Sequence, residues 1–127
     1  MIPKYRAWDR VEKKFVEHFF ITDNGLICNM EKPTSGYNSP IPIEKSELIL
    51  MQSTGLRDKN GNEIFEGDIL SSESYPVKGA VEYRAKLGMW VNCLKEYSYY
   101  EYLGNVASDR EIIGNIHENP ELLEEKQ

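Results

Sequence analysis

Residues Leu50–Leu70 read LMQSTGLRDKNGNEIFEGDIL, and the way this stretch folds decides the architecture of the chain. Apolar runs at Leu48–Met51 and Ile69–Leu70 bracket a segment dense in turn-forming residues. Asn60-Gly61 is a strong two-residue turn signal, because both central positions of a type I′ turn take φ > 0. Ile64-Phe65 returns to apolar character before Glu66-Gly67-Asp68 makes a second break, where Gly67 permits a sharp change of direction. The pattern predicts a hairpin that feeds directly into a core strand. It is an architectural signal and carries no chemistry.

Working outward, 127 residues predict one domain, large enough to bury an ordinary core without disulfide or metal staples. Eight Tyr and two Trp against four Phe suggest half-buried sheet positions, where a ring packs and its polar tip stays wet. The formal net charge of -6 opposes non-specific binding to nucleic acid or anionic membranes. Lys13-Lys14 is the only adjacent basic pair and reads as a solvated strand or turn. Cys28 and Cys93 match no C-x-x-C spacing, so neither a metal nor a redox motif is indicated. The opening residues lack the apolar core of a signal peptide, and no apolar run approaches a membrane span. A cytoplasmic protein with reduced, buried cysteines is expected.

Along the chain, Lys4–Trp8 predicts a first strand covered on both faces near Trp8, and Asp9-Arg10 a turn. Phe15–Thr22 and Leu26–Met30 predict a hairpin around Asp23-Asn24-Gly25. Glu31–Pro42, rich in Pro and Ser, predicts a loop, and Glu47–Gln52 a buried strand. Further strands are expected at Asp68–Ser72, Gly79–Arg84, Met89–Leu94 and Glu111–His117, the last with a bulge or close approach at Gly114. Tyr97–Leu103 fits either an irregular strand or one to two helical turns, and Val106–Arg110 reads as a loop. Asn119-Pro120-Glu121 predicts a short helix with Asn119 as its cap. Short strands at this spacing suggest a small barrel or sandwich.

The run TGLRDKNGNEIFEGDIL, Thr54–Leu70, resembles the signature of the YopX family of phage and prophage proteins. The opening IPKYRAWD, the GAVEY strand with Trp90-Val91 after it, and the closing IIGNIHENPELL agree. The resemblance marks Gly55, Asp58, Asn60, Gly61, Glu66, Gly67 and Asp68 as a structural signature. It implies a mainly β fold with an SH3-like barrel-type core, extra hairpins and a short C-terminal helix. One domain over 1–127 would then divide into N-terminal hairpins with the Pro/Ser-rich loop (1–46) and the barrel core (47–127). It implies a phage or prophage setting and supplies no catalytic residue.

Candidate chemistry is sparse. Asp58, Glu63, Glu66 and Asp68 invite a metal or acid/base reading, since hard divalent ions take several carboxylates from one loop. Their spacing fails the EF-hand pattern, and on opposite hairpin arms they are expected to face water, with Asp58 and Glu66 satisfying turn amides. His18 and His117 come with no G-x-S-x-G or H-E-x-x-H motif, and Cys93 reads as core. The glycines lie singly at turns, so no phosphate loop is formed. Tyr97, Tyr99, Tyr100 and Tyr102 are the candidate interaction surface, against the plainer expectation that alternate rings pack on the barrel. Their neighbours Glu96 and Glu101 argue against base stacking. The sequence therefore predicts a non-enzymatic protein-interaction module that needs no cofactor or metal. It is expected to self-associate and to bind a host or phage protein rather than nucleic acid or membrane. The rivals are a nucleic-acid-binding barrel, marked by salt-sensitive binding, and a metalloenzyme on Asp58, Glu66 and Asp68, marked by metal-induced stabilisation.

Overall fold

A computed structural model describes residues 4–31, 39–74 and 77–124. The fold is mainly β, with twelve strands among the described residues. The chain separates into two compact units, one formed by Tyr5–Met51, the other by Lys4 together with the chain from Gln52 onward. Most of the Pro/Ser-rich segment, 32–38, lies outside the described residues, and Ile41–Pro42 at its end is a short strand rather than loop.

In the first unit, strand β1 (Tyr5–Asp9) pairs antiparallel with β2 (Lys14–Val16), Trp8 opposite Phe15. Ala7, Trp8 and Asp9 are all buried, so both faces of β1 are covered. The turn between them is built by Asp9, whose Oδ1 accepts the amides of Val11 and Glu12, and Lys13 sits there at φ 59°. The expected strand over Phe15–Thr22 is divided. β2 ends at Val16, and β3 (Phe19–Ile21) joins a different sheet, ordered β3-β4-β5 with β4 at Leu26–Asn29 and β5 at Ile41–Pro42. The break lets Val16 and Phe19 reach one core, where Ala7, Val16, Ile27 and Leu48 are buried against Phe19, Ile21, Ile43 and Leu50. Each fully buried aliphatic side chain there contributes about 1.5–3 kcal/mol.

Strand β6 is longer than the sequence pattern indicated, running Leu48–Arg57, and it carries the chain from one unit into the other. Its second half pairs with β7 (Glu63–Phe65). The hairpin is real but its turn is not type I′. Asn60 does not have positive φ; only Gly61 does, at 84°. A five-residue loop, Asp58–Asn62, closes instead through Asp58 N–H to Asn62 O at 2.9 Å and Gly61 N–H to Asp58 O at 3.0 Å. The Asp58 side chain holds this wider turn, which asks for a left-handed residue once rather than twice.

After Gly67 (φ 87°), β8 (Asp68–Ser71) enters an antiparallel five-stranded sheet. Its order is β11-β10-β9-β8-β12, with β9 at Gly79–Arg84, β10 at Met89–Leu94, β11 at Tyr99–Tyr102 and β12 at Glu111–Asn115. The sheet curls as a half-barrel. The single-turn helix α1 (Leu103–Val106) and a 3₁₀ turn (Ala107–Asp109) connect β11 to β12 and carry Leu103 and Ala107 into the core. There they meet Ile64, Leu70 and Val81, with Leu56, Trp90 and Ile112 packed around them.

The register of β12 against β8 shifts between Ile112 and Gly114, as expected of a bulge. A Cβ at Gly114 would lie 2.5 Å from the Asn119 side-chain oxygen, which accepts the Asn115 amide. Asn119 stands at the N-cap position of the final element, a short 3₁₀ helix over Pro120–Leu123, as expected, but its side chain makes no capping hydrogen bond. No described helix is long and apolar enough to cross a membrane.

Candidate functional site

The signature carboxylates serve the fold. Asp58 is buried, contrary to expectation, and its Oδ1 accepts the amides of Asn60 and Asn62, both at 2.9 Å. Its Oδ2 accepts the amide of Ile112 at 3.1 Å, a residue 54 positions away on β12. The Lys59 amide also donates to the Arg110 carbonyl at 2.9 Å, so the hairpin tip docks edge-on against the start of β12. Burial works to raise the Asp58 pKa, but the amides of Ile112, Asn62 and Asn60 outweigh it and hold the carboxyl below its ordinary value.

The turn role expected of Glu66 falls to Asp68, which is buried and accepts the Phe65 amide at 2.7 Å. Glu66 reaches only the Gln52 amide, at 3.4 Å. Glu63 binds Lys4 at 2.8 Å and the Ser53 hydroxyl, and those two hydrogen bonds lower its pKa. Gly55 takes φ 78° where five residues of β6, Ser53 to Arg57, lie against three of β7, Glu63 to Phe65. No cluster of three His, Cys, Asp or Glu placed to hold a metal occurs among the described residues.

The histidines do not come together in one unit. His18 belongs to the first, where its amide donates to Glu31 at 2.7 Å and lowers the pKa of that exposed carboxylate. His117 belongs to the second. Cys28 is buried as predicted, whereas Cys93 is half-buried, with an Arg84 nitrogen 3.7 Å from its sulfur.

The tyrosines are where structure departs most from the plainer expectation. Tyr97 follows Lys95 and Glu96 on a 3₁₀ turn, and Tyr99, Tyr100 and Tyr102 lie on β11, an edge of the five-stranded sheet. Their exposures are 57%, 63%, 36% and 44%, so none is a packed barrel ring. Tyr100 meets Tyr102 edge-on at 5.9 Å and stacks with Tyr99 at 6.5 Å. Ser98, at φ 50° and ψ 44°, turns the chain from the 3₁₀ segment into this strand.

Register explains the arrangement. Tyr100 and Tyr102 lie opposite Cys93 and Val91, while Tyr99 and Glu101 lie opposite Leu94 and Asn92. Asn92 in turn pairs with core residue Val81, so Glu101 points to the core side. There its carboxylate accepts from Asn92 Nδ2 at 3.0 Å and from Arg110 at 2.6 Å. A Cβ on Gly79 would lie 2.3 Å from Asn92 Oδ1, so the cluster needs glycine beside it. On the outer side, the Arg84 guanidinium lies 5.5 Å from the Tyr100 ring centre. Arg84 also pairs with Glu82 at 2.8 Å, and the Cys93 sulfur and Glu82 both raise its pKa.

Two open clefts flank the strand. One, about 440 Å³, is lined by Arg84, Cys93, Lys95, Ser98, Tyr99 and Tyr100. The other, about 430 Å³, shares Tyr99 and Tyr100 and adds Glu101, Tyr102, Asn105 and Val106. The basic contribution from β9 escaped sequence reasoning, because Arg84 lies 16 positions before Tyr100 and meets it only through the β9–β10–β11 pairing. Chemically the surface offers aromatic faces, cations and a strand edge that no described strand pairs.

The model for the family described as YopX protein matches residues 4–124. Among solved structures, the chain is similar to protein EF1440 from Enterococcus faecalis at 32% identity, with a TM-score of 0.64. That match covers 98% of this chain and 99% of the other. It is also similar to yopX from Bacillus subtilis at 20% identity and a TM-score of 0.58, covering 97% of each, a likeness of fold. No curated protein matches.

Proposed function

The chain belongs to the YopX family, and on that footing we propose that it is a non-enzymatic protein-interaction module whose contact surface is the tyrosine-bearing edge strand β11. The observation that carries this reading is the exposure of Tyr97, Tyr99, Tyr100 and Tyr102 together on one sheet edge. Among the described residues no strand pairs with the outer edge of β11; an edge of this kind presents main-chain donors and acceptors, and tyrosine is a common interface anchor. The carboxylates that suggested metal chemistry are engaged with main-chain amides or with Lys4, which favours binding over catalysis.

Self-association through β11 is part of the proposal, since symmetric pairing protects such an edge. So is a phage or prophage origin with action in the host cytoplasm, which rests on the family resemblance. The return of β12 to pair with β8 supports an SH3-like reading of the five-stranded sheet. The test compares the tagged chain with a Tyr99→Ser/Tyr102→Ser variant by sedimentation velocity and by capture from nuclease-treated host lysate. Both tyrosines are exposed, so the variant should melt with the parent. A self-association constant or a stoichiometric partner lost in the variant is expected; identical behaviour of the two would overturn the reading.

A further inference from the structure

The cleft lined by Arg84, Lys95 and Tyr100 has a charge opposite to that of the chain. Net charge is -6, yet this cleft receives two cations and no carboxylate from the described residues. Of the two acidic residues that the sequence places among the tyrosines, Glu101 is turned to the core side and bound by Asn92 and Arg110, while Glu96 is exposed on the 3₁₀ turn and lines neither cleft. Arg84 is partly neutralised by Glu82, whereas Lys95 is exposed and has no ion-pair partner among the described residues. A cleft lined by Arg84 and Lys95 with no carboxylate among its described lining residues is matched to an anionic ligand.

Resting on the reading of β11 as the contact surface, we propose that the partner is an acidic segment of extended polypeptide that adds as a strand to β11. Its main chain pairs with the strand edge, an acidic side chain meets Lys95 and Arg84, and an apolar one reaches the cleft beside Tyr102 and Val106. Strand addition draws affinity from main-chain hydrogen bonds and specificity from alternate side-chain pockets, and β11 offers both. Single-stranded nucleic acid would share the attraction to tyrosine faces and cations. It needs a longer run of cations along its backbone than two residues supply, and it makes no use of a strand edge.

The test is a titration of the isotope-labelled full chain, followed by amide resonances, with three probes. These are a capped peptide interleaving glutamate and valine, its lysine–valine counterpart, and a single-stranded thymidine oligonucleotide. The glutamate peptide should shift the amides of β11, slow their exchange with solvent, bind more weakly as salt rises, and lose about tenfold in affinity to Lys95→Glu. Stronger binding by the lysine peptide at β11 overturns the acidic partner and leaves the contact surface standing. Competition by the oligonucleotide at β11 overturns both. Absence of binding by either peptide overturns strand addition of an acidic segment, and the tyrosine variant then judges the contact surface separately.

Discussion

Removing the Asp58 carboxylate should detach the hairpin tip from β12, and the size of the effect follows from its three amide partners. In Asp58→Ala the amides of Asn60 and Asn62, on an exposed loop, exchange the carboxylate for water, losing about 0.5–1.5 kcal/mol each. The Ile112 amide is less accessible, and leaving it without an acceptor costs about 1–3 kcal/mol. A total of about 4 kcal/mol is expected. An unfolding entropy of about 2.1 cal/mol/K per residue makes this a fall in Tm of about 15 °C for a chain of this length.

Asp58→Asn keeps one oxygen for the turn but presents an NH₂ to the Ile112 amide. It should lose about 2 kcal/mol, or roughly 7 °C. The pH dependence gives an independent check. Because the folded carboxyl titrates below its ordinary value of 3.8, its contribution is complete above that value and disappears as pH falls through the lower folded pKa. Urea unfolding of the parent and Asp58→Asn from neutral pH downward should therefore show a gap that is widest near neutrality and narrows below about pH 3.8. Melting of Asp58→Ala within about 2 °C of the parent would refute the assignment of Asp58 as the staple between hairpin and β12.

Gly79→Ala should destabilise by about 1–3 kcal/mol, because its Cβ would lie 2.3 Å from an Asn92 amide already held by Glu101. In a double cycle, Asn92→Ala should relieve much of that loss, and simple additivity in thermal melts would sink the contact argument. Arg110→Met should cost about 2–3 kcal/mol by stranding the Glu101 carboxylate, part of which Glu101→Gln restores in the same background. Unfolding midpoints that ignore Arg110→Met would show that the pair is solvated.

Gly79–Arg84 and Met89–Leu94 lie where the strand pattern puts them, although burial does not alternate along them: Gly79, Ala80 and Val81 are all buried, as are Val91 and Asn92. Phe15–Thr22 reads as one β segment because every residue from Phe19 to Ile21 is apolar, and composition does not record a change of sheet at Glu17-His18. The type I′ expectation failed because Asn-Gly statistics describe two-residue turns, whereas Asp58 widens this one from two residues upstream. Burial of Asp58 and Asp68 was hidden for a related reason. A carboxylate spent on main-chain amides has the same local sequence as one facing water, and the deciding partner, Ile112, is 54 residues away.

The tyrosine edge was visible as composition, but its charge was not, and the difference turns on strand parity. In YSYYEYL the register decides whether Glu101 or its tyrosine neighbours face the core. A slip of one residue would carry the carboxylate to the other face and put Tyr100 and Tyr102 on the side of Asn92. The choice is made by Asn92 and Arg110, two polar groups on other elements that give Glu101 a hydrogen-bonded site on the core side. A half-buried pair of this kind adds little to stability by itself, but it penalises the slipped register, in which Arg110 would be left without Glu101. The Asn92–Glu101–Arg110 cluster and the exposed tyrosines are therefore two faces of one choice. The half-buried charge fixes the register, and the register presents uncharged aromatic rings, beside Arg84 and Lys95, along a strand edge that no described strand pairs.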